Sequence, residues 1–168
     1  YFTQNSIFCK NSKIIPMKKI ILLSIILFLQ FAPAKAQWVT IPDAAFAAKL
    51  AQLFPGCMNG NQMDTTCYEI VHESSIDVSY SSISNLTGLQ YFDTLKSFDC
   101  AANNISNLPL PPYTDSLKFL VCRNNPLVNL PNLPNNLISL DCGANQLTSL
   151  PPLPASLIYF QCGGNQFT

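Results

Sequence analysis

Seven cysteines and one histidine are the side chains of this 168-residue chain best suited to chemistry. Thiols form disulfides, bind soft metal ions or act as nucleophiles. No two cysteines have the Cys-x-x-Cys spacing, and the sequence contains no Gly-x-Ser-x-Gly, phosphate-binding loop or His-Glu-x-x-His motif. No catalytic pattern surrounds the single histidine, His72. We therefore expect a protein that is not an enzyme, with no catalytic residue, no metal site and no cofactor.

The last four cysteines recur at intervals of 22, 20 and 20 residues. They are Cys100, Cys122, Cys142 and Cys162. An asparagine follows each of them by three residues, and these are Asn103, Asn125, Asn145 and Asn165. Leu stands five residues before each cysteine, and Leu or Phe stands two before. Four matches in register indicate an internal repeat.

This repeat predicts a stack of similar coils. The apolar residues around each cysteine alternate as in a short strand, and a buried Asn amide can bind backbone groups that a turn leaves unpaired. Segments 130–134 and 150–154 are too rich in Pro to form helices. We expect them to be extended, with four leucines turned inward: Leu130, Leu133, Leu150 and Leu153. One coil cannot bury its apolar edge alone, so stability requires stacking.

We place five repeats after an N-terminal region. Their ranges are 73–94, 95–116, 117–136, 137–156 and 157–168. In the first repeat Ser81 stands where the others have asparagine. The last range has only twelve residues, so we expect that repeat to continue beyond Thr168.

The four repeat cysteines are predicted to lie side by side on parallel strands about 4.8 Å apart. A disulfide brings its two Cβ atoms to about 3.8 Å. We therefore interpret these cysteines as small buried thiols with a structural role. The alternative is a ladder of disulfides or a column that binds a soft metal ion.

The charges divide the chain at residue 36. Five of the nine basic residues and no acidic residue lie before that point, so residues 37–168 have a net charge of −5. Lys18 and Lys19, an apolar run and Ala34-Lys35-Ala36 follow in the order of a secretory signal peptide. We predict a signal peptide at 17–36 and upstream translated sequence at 1–16. The alternative is a retained anchor.

Removal of this leader would leave a secreted or cell-surface protein. The apolar run of about 12 residues is shorter than the 20 or so that span a bilayer, which favours a cleaved leader over a retained anchor. We predict no membrane span in the mature chain. Only four basic residues follow residue 36, which argues against a nucleic-acid partner.

The N-terminal region 37–72 is predicted to cap the stack. Asp43 is a candidate N-cap for a helix over 44–54, and Pro55-Gly56 would end that helix. Cys57 and Cys67 flank a polar segment, where export favours a disulfide that contributes about 2–3 kcal/mol. The alternative is a metal site near His72, although the spacing of the cysteines is long for zinc.

The repeat unit resembles the leucine-rich repeat with Cys at its third apolar position. Segment 117–154 is similar to the 20-residue repeats of bacterial proteins, which type III secreted effectors also carry. Segment 85–89 is similar to internalin-type repeats, and segment 54–60 resembles exported leucine-rich repeat proteins of Bacteroidetes, which often carry a type IX sorting domain. The resemblance implies a leucine-rich repeat solenoid with parallel strands on the concave face, an extended Pro-rich convex side and a short capping helix.

In that family binding usually occurs through the concave strand face. Carried to this sequence, the expected contact residues are Asp99, Phe119, Val121, Arg123, Asp141, Tyr159 and Gln161. Phe, Tyr and Arg are types that often dominate binding energy, and the carboxylates could meet a basic or a carbohydrate partner. The alternative is that these residues are simply the solvent side of the sheet.

Two functions follow from this interpretation. The first is an exported module for protein or glycan binding, or for adhesion, without catalysis of its own. The second is a non-catalytic repeat region of a larger secreted enzyme whose catalytic domain lies beyond residue 168. A purely structural spacer is a third hypothesis.

Overall fold

The computed structural model describes residues 36–110 and 116–167. The predicted upstream segment 1–16 and all but the last residue of the predicted signal peptide lie outside the described residues. Within the described part of the chain, no helix is both long and apolar enough to cross a membrane.

Five short strands form one parallel sheet in the order of the chain. They are β4 (Ser75–Asp77), β5 (Ser97–Asp99), β6 (Phe119–Val121), β7 (Ser139–Asp141) and β8 (Tyr159–Gln161). The middle residue of each strand points into the core, and every strand pairs in register with the next. The predicted leucine-rich repeat solenoid is therefore confirmed.

Repeats of unequal length join the same sheet without a change of register. The first two intervals between strands are 22 residues and the next two are 20, yet Ser75, Ser97, Phe119, Ser139 and Tyr159 are equivalent. The described return segments contain no α-helix or strand. Pro content predicts this for 130–134 and 150–154, but the first return segment, 78–96, contains no Pro. The two extra residues are thus accommodated away from the sheet.

Three of the four leucines predicted to turn inward pack against the core. Leu130, Leu133 and Leu150 are half-buried there. Leu153 is instead 44% exposed, which differs from the prediction. A complete coil follows its equivalent Leu133, whereas no further complete coil follows Leu153 in the described residues.

Buried asparagines connect each coil to the one before it. The side-chain oxygen of Asn125 accepts from the backbone N–H of Ile105 at 3.0 Å. Its amide nitrogen donates to the carbonyls of Cys100 at 2.9 Å and Cys122 at 3.2 Å. The other repeat asparagines make the same set of bonds: Asn103, Asn145 and Asn165. The prediction that this amide binds backbone groups left by the turn is confirmed.

The residue before each of these asparagines has a left-handed backbone. The φ values are 53° at Ala102, 55° at Asn124, 50° at Ala144 and 73° at Gly164. Non-glycine residues rarely adopt this region, because Cβ approaches the following carbonyl oxygen. The sharp turn places the next side chain, which is the asparagine, inside the stack. The hydrogen bonds of this asparagine compensate for the strain of the turn.

The first coil is covered by the predicted cap helix, α1 (Ala44–Leu53). The Asp43 carboxylate accepts from the backbone N–H of Phe46 at 2.9 Å, which confirms it as the N-cap. Its second oxygen accepts from the N–H and hydroxyl of Ser84, both at 2.8 Å, and from the N–H of Asn85 at 3.0 Å. One carboxylate therefore joins the helix to the first repeat.

The polar segment after this helix is a β-hairpin, which the sequence analysis did not predict. Strands β2 (Met58–Asn59) and β3 (Gln62–Asp64) pair antiparallel around Gly60, whose φ is 60°. β1 (Trp38–Thr40) pairs with the other edge of β3. Cys57 and Cys67 form the predicted disulfide, with Cα atoms 5.6 Å apart. A short helix, α2 (Tyr68–His72), then leads into β4.

Gly88 lies where the cap meets the first repeat. Its φ is 118°, and a Cβ added there would overlap the side chain of Ile41, which is fully buried. This close approach therefore requires glycine.

We expect Gly88→Ala to lower the free energy of unfolding by at least about 1–3 kcal/mol, because it adds backbone strain and an overlap with Ile41. Gly56→Ala is the matched control, since an added Cβ there meets nothing within 4 Å. Urea denaturation of both variants measures the effect. Equal midpoints for the two would contradict this account of the cap.

We expect Asn125→Ala to cost more than about 3 kcal/mol, because it leaves several buried backbone groups without partners. Asn124→Ala should change stability little, since Ala already occupies the equivalent left-handed positions 102 and 144. Chemical denaturation of the two neighbouring variants compares them directly. Similar losses for both would count against the asparagine as the main link between coils.

Candidate binding face

The outward side chains of β4–β8 form a surface, here called the sheet face. Parallel pairing arranges them in two columns across the strands. The first column is Ser75, Ser97, Phe119, Ser139 and Tyr159, and the second is Asp77, Asp99, Val121, Asp141 and Gln161. Six of the seven predicted contact residues therefore belong to one continuous surface, and Arg123 follows β6 beside it.

Two aromatic rings stand exposed on this face. Phe119 is 45% exposed and Tyr159 is 67% exposed. Ser139 lies between them in register, so their Cα atoms are about 10 Å apart, or two strand spacings. A small residue between two rings leaves a groove along β7 that is open to solvent.

The aspartates of the face also hold turns, a role that the sequence analysis missed. The Asp99 carboxylate accepts from the backbone N–H of Ala101 at 2.9 Å, and that of Asp141 accepts from Gly143 at 3.1 Å. Asp77 accepts from both the N–H and the hydroxyl of Ser79. An Asp side chain bonded two residues on is a common turn device. The sequence signal was the Asp at the end of three of the five strands.

These carboxylates differ in their electrostatic surroundings. Burial is the largest influence on Asp99 and raises its pKa. Asp77 and Asp141 add to this effect, whereas the hydrogen bond from the Ala101 N–H and the charge of Arg123 oppose it. Hydrogen bonds from the Ser79 hydroxyl and N–H lower the pKa of Asp77, assisted by Lys49. The face therefore holds a half-buried carboxylate with like charges close to it.

At the carboxyl end of β7, Arg123 and Asp141 form an ion pair with Nε and Oδ2 3.5 Å apart. A depression of about 390 Å³ lies over this pair. Its lining includes the predicted Gln161 together with Gly143 and Gly163. Ala101, which is equivalent to Arg123 on the preceding coil, is buried, so this position faces outward in only some of the coils.

Tyr80 is an exposed aromatic residue that the sequence analysis did not select. It is 74% exposed and has a φ of 52°. The equivalent residues of the later coils are Ala102, Asn124, Ala144 and Gly164. The repeat alignment could have singled out Tyr80, because bulky residues are uncommon at a position with a left-handed backbone.

The repeat cysteines are free thiols stacked inside the coils. Cys100, Cys122 and Cys142 are buried, and Cys162 is half-buried. Burial is the main cause that raises the pKa of Cys100 to about 12 and that of Cys142 to about 11. It raises the pKa of Cys122 as well. The structure thus contains no disulfide ladder among the described repeat cysteines.

His72 does not lie with the paired cysteines. Its ring stacks on Tyr68 with centroids 4.1 Å apart, and its Nδ1 is 3.0 Å from the carbonyl of Tyr68. Within the described residues, the cluster whose side chains could together hold a metal ion is Cys57, Cys67 and Glu69. The two sulfurs are bonded to each other, so the predicted alternative of a metal site at His72 is not what the structure contains.

Comparison with solved structures places the fold among bacterial leucine-rich repeat proteins. The functional domain of InlJ from Listeria monocytogenes, which includes a cysteine ladder, shares 32% identity with a TM-score of 0.68 over 78% of this chain and 30% of that one. YopM from Yersinia enterocolitica WA-314 shares 32% identity with a TM-score of 0.50 over 56% of this chain and 20% of that one.

A leucine-rich repeat domain of a Shigella effector is similar in fold alone, at 24% identity and a TM-score of 0.56 over 88% of this chain and 66% of that one. The chain spans about a third or less of InlJ and YopM. No protein-family model matches the sequence. No curated protein matches it either.

The thiol chemistry predicts a loss of stability at alkaline pH. A thiol in the unfolded chain ionises near pH 8.5, whereas native Cys100 keeps its proton to about pH 12. The contribution of Cys100 to the free energy of unfolding is therefore fully present below about pH 8.5. It decreases as the pH rises above this value, because the unfolded state then binds fewer protons than the native state. We expect a lower urea midpoint at pH 9.5 than at pH 7.5, and a smaller difference in Cys100→Ala.

Counting the thiols provides the control. The unfolded, unreduced chain without residues 1–36 should titrate four thiols, because two of its six cysteines form the disulfide. Cys100, Cys122 and Cys142 should react only after unfolding. Rapid reaction of these three in the native protein would contradict their burial.

Proposed function

We propose that this leucine-rich repeat chain is an exported binding module whose partner protein contacts the sheet face. The observation that carries the proposal is the pair of exposed rings, Phe119 and Tyr159, in register on one surface. Neither ring is buried in the core. Exposed aromatic residues with an arginine nearby are the types that most often dominate binding energy.

The repeat architecture supports the same proposal. Its coils bury their apolar side chains internally, so the outward residues of the sheet are not needed for packing. Five in-register strands about 4.8 Å apart give a rigid surface roughly 20 Å wide. A rigid surface loses little conformational entropy on binding, which favours affinity.

A secreted or cell-surface location is the second part of the proposal. The Cys57–Cys67 disulfide supports it, since disulfides persist in oxidising compartments. The leader-like pattern at 17–36 supports it independently. Adhesion would follow if the partner belongs to another cell surface.

We expect the double variant Phe119→Ala and Tyr159→Ala to lose at least about tenfold in affinity for the partner, since two ring contacts of this kind are worth more than 1.4 kcal/mol. A protein and glycan array probed with the wild-type chain identifies the partner, and titration then compares the variants. The melting temperature of the double variant should equal that of the wild type, because both side chains are exposed.

The matched control is Tyr68→Ala with Val128→Ala. These side chains are also exposed, at 74% and 46%, and lie outside the sheet. Unchanged affinity in the sheet-face variant, or equal loss in the control, would count against the sheet face as the binding surface.

A further inference from the structure

We infer that the partner presents a basic polypeptide segment, with its Arg or Lys side chains lying in the grooves of the sheet face beside Phe119 and Tyr159. This inference rests on the proposed function, because it specifies the partner of the same surface. It is carried by the order of side chains across the strands and by the charge of the face.

Strands that present serine and aspartate lie beside aromatic strands on this surface, although β4 and β5 are both of the first kind. β5 and β7 each present a serine followed by an aspartate, whereas β6 presents Phe119 and β8 presents Tyr159 in the first column. Each serine leaves room beside a ring, and the aspartate lies at the other end of the same strand. A groove therefore has an aromatic ring at one end and a carboxylate at the other.

This combination fits a long cationic side chain. Arg and Lys lay their methylene groups along apolar surfaces and keep the charge at the tip. Their cations also bind favourably over the faces of aromatic rings. A neutral sugar could stack on a ring but would add no positive charge beside Asp77 and Asp99.

The sheet face carries an excess of negative charge, which a basic partner would neutralise. Asp77 and Asp99 face each other directly across β4 and β5, and like charges in that position are destabilising. Arg123 is paired with Asp141. Lys49 acts on Asp77, whose pKa it helps to lower. Within the described residues, no Lys or Arg lies within 4 Å of a carboxylate oxygen of Asp99.

Anionic polymers would be repelled by the same surface. Burial and the neighbouring carboxylates raise the pKa of Asp99. A bound cation would oppose that shift by favouring the ionised form. The net charge of −5 over residues 37–168 adds attraction at long range for a basic segment.

The separation of the grooves defines a probe. β5 and β7 are two strand spacings apart, or about 10 Å. A polyproline-type segment repeats its side-chain direction every three residues, or about 9.3 Å. We therefore choose the peptide Arg-Pro-Pro-Arg-Pro-Pro-Arg with a fluorescent label, and the same peptide with Gln or Glu in place of Arg.

The test is fluorescence anisotropy with the full chain at low and moderate salt. We expect the Arg peptide to bind at least tenfold more tightly than the Gln peptide and the Glu peptide not to bind. Asp77→Asn with Asp99→Asn should weaken the Arg peptide about tenfold, since Asn retains the oxygen that holds each turn. Val121→Lys should weaken it too, and no turn depends on this side chain.

The control variant is Glu69→Gln with Asp93→Asn. Both residues are exposed, and the pair removes the same net charge away from the sheet face. It should bind the Arg peptide within twofold of the wild type. Equal loss in this control, or equal affinity for the Arg and Gln peptides, would overturn the inference.

The two proposals fail in different ways. If array partners depend on Phe119 and Tyr159 but the Arg peptide does not bind, the sheet face stands as a binding surface and the basic partner is wrong. Glycan partners that depend on those rings would support the sheet face as a binding surface but would overturn both the partner protein and its basic segment. If no partner and no peptide responds to any sheet-face variant, both proposals are wrong.

Discussion

The solenoid depends on the fate of the backbone groups at one turn. After each strand the chain turns through a left-handed residue, as at Ala102 and Ala144, and the polar groups there face the interior. A buried group without a partner costs about 1–3 kcal/mol. The asparagine amide has both donors and an acceptor, so one side chain serves the carbonyls of two successive coils and the N–H of the preceding one. Among the described residues, no buried side-chain N or O atom lacks a hydrogen-bond partner.

The first coil shows what happens where that asparagine is missing. Ser81 occupies its position, and Asn103 of the next coil binds the N–H groups of Ser81 and Ile83. On the side of the cap, Asp43 supplies the acceptor for Ser84 and Asn85. The cap is thus more than an apolar cover. It also provides a hydrogen-bond acceptor for two backbone N–H groups of the first coil.

The sequence predicted the parts of the structure that recur. Cys, Asn and apolar residues repeat with their spacing, so the strands, the buried amides and the outward columns could be placed before the structure was known. The hairpin at Gly60 and helix α2 occur once, and no internal copy was present to compare them with. Asp99 was predicted as a contact residue, but its bond to the Ala101 N–H depends on backbone geometry that composition does not reveal. Leu153 was predicted to turn inward from its match with Leu133, and the packing of a neighbouring coil decided the difference.

Repeats of 20 and 22 residues share one register, and this has a consequence for how such a protein can grow. The asparagine bonds span only the strand and its turn, so they are indifferent to the length of the return segment. A whole coil could be duplicated or lost while its neighbours kept the same bonds. Each such event would lengthen or shorten the outer surface by one strand, about 4.8 Å. The reach of the surface and the chemistry displayed on it can therefore evolve separately.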